Sequence, residues 1–242
     1  MHQRKSLRQT DYFKISKRIR HKTDWDDHTP LDFPDEGVDL YYLSYSSANY
    51  RYLLGETQYR CEAHDVSFAV DVHGASPGDN RIAENIHFKY PLLRESGSLS
   101  RAKPHARITF LLHGLNERSF GKYLPWAYHL WDQSGSPVLL FPLTFHVNRV
   151  LPAWGQQQME SFKRRKQIKD NENVHRFNAV ISERLDAQPE RFFWGAIQSY
   201  WDLIDLARQI RAGLHPHISN EARLDFVGYS AGGYLALLLL LE

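Results

Sequence analysis

Residues 224–241 read LDFVGYSAGGYLALLLLL and place a Gly-x-Ser-x-Gly sequence between two largely apolar segments. Residues 224–227 have the character of a short buried strand, and residues 233–241 have the composition of a helix. A strand, a sharp turn and a helix in direct succession form a nucleophile elbow, which presents one serine hydroxyl above a sheet. The sequence therefore predicts that Ser230 stands at the tip of such a turn.

Two upstream segments resemble residues 224–227. Residues 108–112 and 137–143 are nearly continuous apolar runs, as expected for strands that are covered on both faces. Residues 120–131 and 197–210 repeat apolar side chains at three-to-four spacing, which predicts helices. Strands that alternate with helices in this order are typical of a parallel sheet with crossover connections.

The first half of the chain has a different pattern. Segments rich in Val, Tyr, Phe and Leu alternate with short polar connections, and they predict antiparallel strands at residues 38–45, 51–60, 66–72 and 86–91. The fold class predicted from both halves is α/β, with antiparallel N-terminal strands followed by parallel β-α-β units.

Ligands bind beyond the carboxyl ends of parallel strands, so the residues at these three places are informative. The first strand ends in His113-Gly114-Leu115-Asn116. The second leads into Thr-Phe-His-Val-Asn-Arg at residues 144–149, and the third ends at Ser230. The sequence thus predicts that polar side chains and one serine meet at one edge of the sheet.

Taken together, residues 38–242 resemble the N-terminal two-thirds of the α/β-hydrolase fold superfamily. The Phe-His-x-Asn-Arg stretch at residues 145–149 is similar to one in uncharacterised bacterial α/β-hydrolase-like proteins. The resemblance implies an α/β-hydrolase-like mixed sheet that stops after the elbow helix.

The resemblance also implies roles for individual residues. Ser230 would attack an acyl carbonyl as the nucleophile. The backbone N–H groups of Ala231 and Leu115 would stabilise the resulting oxyanion, with His113 and Gly114 shaping the oxyanion loop. The substrate implied is a small acyl compound such as a carboxylic ester.

Other interpretations of these residues stay open. Ser230 could instead cap the helix that begins at the turn. His113 could serve as a base, although it stands on the side expected for the oxyanion donors. His146 could line the pocket, or it could hold its loop against the core by hydrogen bonds, as many histidines do.

The catalytic acid and histidine of this fold follow the nucleophile in the chain, whereas here leucines and Glu242 are all that follow the elbow. We therefore expect the chain to be a fragment or a truncated product that is inactive alone, because a serine without a base is a poor nucleophile. The alternative to a serine hydrolase is a non-catalytic protein that keeps the fold for binding or structure.

The composition of the chain limits the classes of partner and cofactor that we expect. A net charge of +2 over 242 residues, with no nucleic-acid-reading motif, argues against a nucleic-acid partner. The leucine run is too short to span a membrane. No cofactor motif or metal-ligand cluster is present, and His215-Pro216-His217 has poor spacing for a metal. The single cysteine, Cys61, suits a reducing compartment and predicts a cytoplasmic location.

The predicted organisation is a basic N-terminal arm at residues 1–30 and a core at residues 31–242. A polar segment at about residues 150–193 separates a strand from the next helix and is longer than an ordinary connection. We interpret it as a helical cap over the site, with an idle surface excursion as the alternative.

Overall fold

The structure, a computed structural model, describes residues 16–18, 29–54, 58–61, 66–69, 78–97 and 106–241. The strands are β1 (Leu31–Phe33), β2 (Val38–Ser46), β3 (Gln58–Cys61), β4 (Val66–Ala69), β5 (His87–Glu95), β6 (Arg107–Leu112), β7 (Val138–Phe141) and β8 (Arg223–Gly228). The α-helices are α1 (Ala83–Ile86), α2 (Leu124–Ser134), α3 (Trp154–Lys166), α4 (Arg176–Ala187), α5 (Pro189–Arg211) and α6 (Ala231–Leu239). Within this described part, no helix is both long enough and apolar enough to traverse a bilayer.

Six strands form one mixed sheet in the order β1-β2-β5-β7-β6-β8. β1, β2 and β5 are antiparallel neighbours, and β5 is also antiparallel to β7. β6 is parallel to both of its neighbours, β7 and β8. β3 and β4 pair with each other in a separate two-stranded sheet. The prediction of a mixed α/β fold is confirmed.

Helices cover both faces of the sheet. The side chains of its central strands alternate between the two cores that lie beneath these helices. Along β7, Leu139 and Phe141 join one core, whereas Val138 and Leu140 join the other. The first core is closed by α5 and α6, and the second by α2. Burial on both faces explains why the sequences of the parallel strands are continuous apolar runs.

The prediction of a strand over residues 51–60 is wrong at its start. Asn49–Leu54 forms a 3₁₀ helix, whereas Gln58–Cys61 forms β3 as predicted. The Asn49 side chain is buried, and its Nδ2 donates to Asp202 Oδ1 at 3.1 Å. The acceptor lies on α5, 153 residues away in the chain, so a long-range polar contact outweighs the local preference for strand.

Residues 150–193 contain α3, α4 and the beginning of α5. The helix predicted for residues 197–210 is longer than its apolar pattern indicated, because it starts at Pro189. Proline is well suited to the first helical turn, where its missing N–H has no intrahelical partner. The segment therefore joins the core helix without a break at residue 193.

Only residues 16–18 and 29–30 of the predicted basic arm are described. There, Arg18 Nη1 lies 3.2 Å from Glu36 Oε1, so this part of the arm contacts the turn between β1 and β2. The rest of the arm lies outside the described residues, as do residues 70–72 of one predicted strand.

A buried ion pair fastens the segment after β7 to α5. Arg149 and Asp202 are both fully buried, and Arg149 Nη2 donates to Asp202 Oδ2 at 2.8 Å. Arg149 Nε donates to Asn85 Oδ1 at 3.0 Å, and Nη1 donates to the carbonyl of Pro142 at 3.1 Å. Burial lowers the pKa of Arg149, while Asp202 counteracts this effect. The guanidinium is thus occupied by the protein and holds the loop in place.

We expect Arg149→Met to lower the free energy of unfolding by about 3–5 kcal/mol, because it leaves the Asp202 carboxylate buried without its cation. Urea denaturation followed by circular dichroism measures the change. Arg208→Met is the matched control, since Arg208 is exposed and pairs with Asp205 on the surface of the same helix. The control should change stability by less than about 1 kcal/mol. Similar small losses in both variants would contradict the structural role of Arg149.

Candidate active site

The loops that carry the candidate residues meet at one edge of the sheet. In the register of the parallel strands, Leu112 of β6 is level with Phe141 of β7 and with Gly228 of β8. Residues 113–116 and 144–149 therefore start beside each other and beside the elbow. This is the edge at which open α/β sheets bind their ligands.

The elbow packs so closely that two of its glycines are required. A Cβ added at Gly228 would lie 2.3 Å from the Gly232 carbonyl oxygen, and one added at Gly232 would lie 2.5 Å from the Leu112 carbonyl oxygen. Ser230 is exposed between them, and α6 begins at the next residue. The Ser230 side chain makes no capping hydrogen bond to the helix. The hydroxyl is therefore presented to the space above the sheet.

Backbone strain concentrates around this edge. Ser230 has φ 54° and ψ −119°, a conformation that L-residues rarely adopt. Asn116 after β6, and Phe145 and Val147 after β7, also have positive φ. Each such residue costs on the order of 1–3 kcal/mol, and such strain clusters at functional sites. Every one of the three strand ends carries at least one strained residue.

His113 is fully buried and links the ends of β6 and β7. Its Nδ1 lies 2.7 Å from the Gly114 carbonyl oxygen, which can only accept, so Nδ1 carries the proton. Its Nε2 accepts from the Leu143 N–H at 2.9 Å. Burial lowers the pKa of His113 to about 4. The ring is therefore neutral near pH 7, and neither nitrogen is free to take a proton from Ser230.

Gly114 is held from two sides. Its N–H donates to the hydroxyl of Tyr123 at 2.8 Å, and that hydroxyl donates to Glu117 Oε1 at 2.9 Å. Its carbonyl accepts from His113. In a planar trans peptide, the N–H of Leu115 points opposite to the Gly114 carbonyl, and hence away from His113. These contacts fix the direction of the Leu115 N–H.

The turn at Gly114 lies against the elbow. A Cβ added at Gly114 would lie 3.4 Å from the Cβ of Ser230 and 2.9 Å from Cδ1 of Tyr229. Neither the N–H of Leu115 nor that of Ala231 donates to an acceptor within the described residues. Two backbone donors without a partner in the described part of the chain therefore lie next to the serine.

His146 is buried next to His113, with 5.3 Å between the ring centroids. Its Nδ1 donates to the Thr144 carbonyl at 2.8 Å, whereas its Nε2 is buried without a hydrogen-bond partner. Burial, followed by the neighbouring His113, holds the pKa of His146 well below its usual value. Within the described part of the chain, no hydrogen bond joins His146 to Ser230.

No histidine or carboxylate side chain forms a hydrogen bond with Ser230 in the part of the chain that the structure describes. Its Oγ makes no hydrogen bond there, and the same residues contain no group of three or more His, Cys, Asp or Glu that could hold a metal ion. The site therefore consists of a presented serine and backbone donors.

A pocket opens between the turn after β6 and the helices of residues 150–193. It is lined by Leu115 from the turn and by Ile181, Arg184, Leu185, Gln188, Arg191 and Phe192 from α4 and the start of α5. Arg184 Nη1 donates to Asn116 Oδ1 at 2.9 Å, which ties α4 to the turn. Leu115 thus belongs both to the turn beside Ser230 and to the wall of this pocket.

Sequence reasoning did not single out Tyr123 or Arg184. Within the apolar pattern of residues 120–131, Tyr123 is one of the apolar positions. The contacts of its hydroxyl depend on the folded turn. Arg184 follows the buried Val180 by four residues, which places a charged side chain on the buried face of α4. A charge on such a face was the available signal.

Comparison with known families identifies the chain only in part. The model of a family of unknown function, DUF6051, matches residues 11–242, so the chain belongs to this family. No curated protein matches the chain. Function must therefore be argued from the site itself.

We expect Gly232→Ala to destabilise the protein by about 1–3 kcal/mol, because the added methyl group would overlap the fixed backbone of Leu112. The midpoint of urea denaturation measures the loss. Gly155→Ala in α3 is the control, since its Cβ would make only an ordinary contact of 3.6 Å with Arg118. The control should leave stability unchanged or raise it by up to about 1 kcal/mol. Equal behaviour of the two variants would refute the tight crossing at the elbow.

Proposed function

We propose that this member of DUF6051 is a serine hydrolase of the α/β-hydrolase type, acting on a carboxylic ester or a related acyl bond through Ser230. The sheet supports this assignment, since antiparallel strands precede parallel strands and the third parallel strand leads into the elbow. The His113-Gly114 turn follows the central parallel strand, where a hydrolase of this type places one of its oxyanion donors.

One observation carries the proposal: a strained serine at a strand-to-helix turn lies beside two N–H groups that have no acceptor among the described residues. The strain at Ser230 has no use in a helix cap, because its side chain caps nothing. The strained conformation of Ser230 instead projects its hydroxyl away from the backbone, as a nucleophile requires. The contact between Gly114 and Ser230 brings the Leu115 donor to the same place.

The chemistry follows from this arrangement. Ser230 Oγ attacks the acyl carbonyl carbon, its proton passes to a base, and negative charge develops on the carbonyl oxygen. The N–H groups of Leu115 and Ala231 receive this charge, and the loss of one such donor typically costs about 2.7–4 kcal/mol of barrier. The base returns the proton to the leaving alcohol, and water then releases the acid from the serine. His113 acts by positioning, because it orients the peptide between Gly114 and Leu115.

The base and its acidic partner belong outside the described residues in this proposal. His113 has both nitrogens engaged, and His146 makes no contact with Ser230 in the part that the structure describes. Because no base contacts Ser230 among the described residues, one alternative function is a non-catalytic protein that retains the fold and binds a small molecule at the same edge. The two functions differ in whether Ser230 is activated.

We propose a small acyl compound as substrate and the cytoplasm as location. The pocket beside Leu115 is mostly apolar, which suits an acyl chain. A single cysteine, Cys61, suits a reducing compartment.

A fluorophosphonate probe should label the protein expressed from its complete reading frame, because such probes react only with activated serines. Ser230→Ala should abolish the labelling, whereas Ser182→Ala on the exposed face of α4 should leave it unchanged. Mass spectrometry of the labelled peptide identifies the site. A folded protein that shows no labelling would refute hydrolase activity and support the non-catalytic alternative.

Tyr123→Phe should slow labelling by about tenfold or more, because it releases the Gly114 N–H and loosens the direction of the Leu115 donor. The second-order rate constant of labelling measures the effect. Tyr128→Phe is the control, since Tyr128 lies on α2, which begins directly after Tyr123, and is also buried. An unchanged rate in a folded Tyr123→Phe variant would show that this hydroxyl does not position the donor.

A further inference from the structure

We propose that the pocket between the Gly114 turn and helices α4 and α5 binds a carboxylate through Arg184. The assignment of this carboxylate to the substrate of Ser230 rests on the proposed function, whereas the binding site itself does not. The substrate class is then an acyl compound with an apolar body and one negatively charged end.

Arg184 carries a charge that no carboxylate of the described residues neutralises. Within the described residues, its hydrogen bond is to the neutral Asn116 side chain, and no carboxylate pairs with it. The neighbouring Arg191 differs, because it forms two hydrogen bonds with Asp79, at 2.6 and 2.9 Å. Burial, and then the nearby Arg191, lower the pKa of Arg184 to about 10, so it stays protonated near pH 7. Arg184 is partly buried, and a partly desolvated cation without a counter-ion is stabilised when a ligand supplies one.

Donors are available to hold such a ligand. A guanidinium has five N–H groups in a planar fork, and the bond to Asn116 uses one of them. The fork matches the two oxygens of a carboxylate.

The pocket favours a carboxylate over a phosphate. One uncompensated guanidinium offers a single positive charge, which one carboxylate neutralises and a phosphate dianion exceeds. The rest of the lining is mainly apolar, with Leu115, Ile181, Leu185 and Phe192. A ligand with an alkyl chain and one carboxylate matches both features.

The position of Arg184 connects this carboxylate to the chemistry at Ser230. Leu115 lines the pocket and supplies the proposed oxyanion donor. Arg184 donates a hydrogen bond to Asn116, which follows Leu115 in the chain and has a φ of 63°. A ligand on Arg184 therefore lies against the turn that receives the oxyanion. In this arrangement, the charged end and the reacting carbonyl of one molecule lie on either side of Leu115.

Ligand-observed NMR titration of the full chain tests the site with hexanoate, hexanamide and hexyl phosphate. Hexanoate should bind wild-type protein at least about tenfold more tightly than hexanamide, because the amide lacks the negative charge and the second acceptor oxygen that a guanidinium binds. Arg184→Gln should remove this preference, and Arg184→Lys should keep part of it. Arg208→Gln, a surface arginine on α5, should leave it intact. Thermal unfolding checks that each variant is folded.

A structural role for Arg184 would change stability but not the preference for hexanoate over hexanamide. The proposal is overturned if wild-type protein binds the two ligands equally, if folded Arg184→Gln retains the preference, or if hexyl phosphate binds more tightly than hexanoate. Ser230→Ala should bind hexanoate as wild type does. Failure of probe labelling with intact hexanoate binding would therefore refute the hydrolase proposal alone.

Discussion

The hydrogen bonds of His113 are the constraint on which the site depends. One ring nitrogen donates to the Gly114 carbonyl and the other accepts from the Leu143 N–H, so a single neutral ring sets the spacing between the ends of β6 and β7. Only this tautomer satisfies both partners. Burial keeps the ring neutral near pH 7, because it lowers the pKa of His113 to about 4. The direction of the Leu115 N–H is thus set by an imidazole that does not itself meet the serine.

Two arginines near this edge, one fully buried and one partly buried, illustrate how similar residues have different roles. Arg149 is surrounded by acceptors, with Asp202 as counter-ion, and it holds a loop. Arg184 has one neutral acceptor and lines an open pocket. A desolvated cation that is paired contributes to structure, and one that is left unpaired creates a demand for an anion. The sequence does not separate the two cases, because the counter-ion of Arg149 lies 53 residues away in the chain.

Features that depend on local pattern could be predicted from the sequence. The apolar runs and helical spacing indicated the later strands and their helices, and the glycines around Ser230 indicated the turn. Features that depend on distant partners could not. Asn49 forms part of a 3₁₀ helix because of Asp202 on α5, and the positive φ of Val147 contradicts its β-branched side chain. The hydroxyl contacts of Tyr123 likewise arise only once the chain has folded.

The strained residues and the bonds between loops belong together. The N–H of Val147, a residue with φ 52°, donates to the Glu117 carbonyl at 3.0 Å, and Glu117 in turn accepts from Tyr123, which holds Gly114. The N–H of Tyr229 donates to the Leu112 carbonyl at 3.0 Å, just before the strained serine. Such bonds offset the cost of unusual backbone angles and make each loop depend on its neighbours.

This coupling between the loops affects how the contribution of each residue to the site is measured. The Leu115 donor is oriented by contacts from β6, β7 and α2 at once, so no single contact accounts for its position. Effects of substitutions at His113, Tyr123 and Asn116 will therefore not add, because each loosens the same turn. The turn, the pocket and the elbow form one unit whose geometry is complete before any base acts on Ser230. For this reason, the arrangement of the two backbone donors is a property of the fold, whereas the proposed turnover requires a proton acceptor in addition.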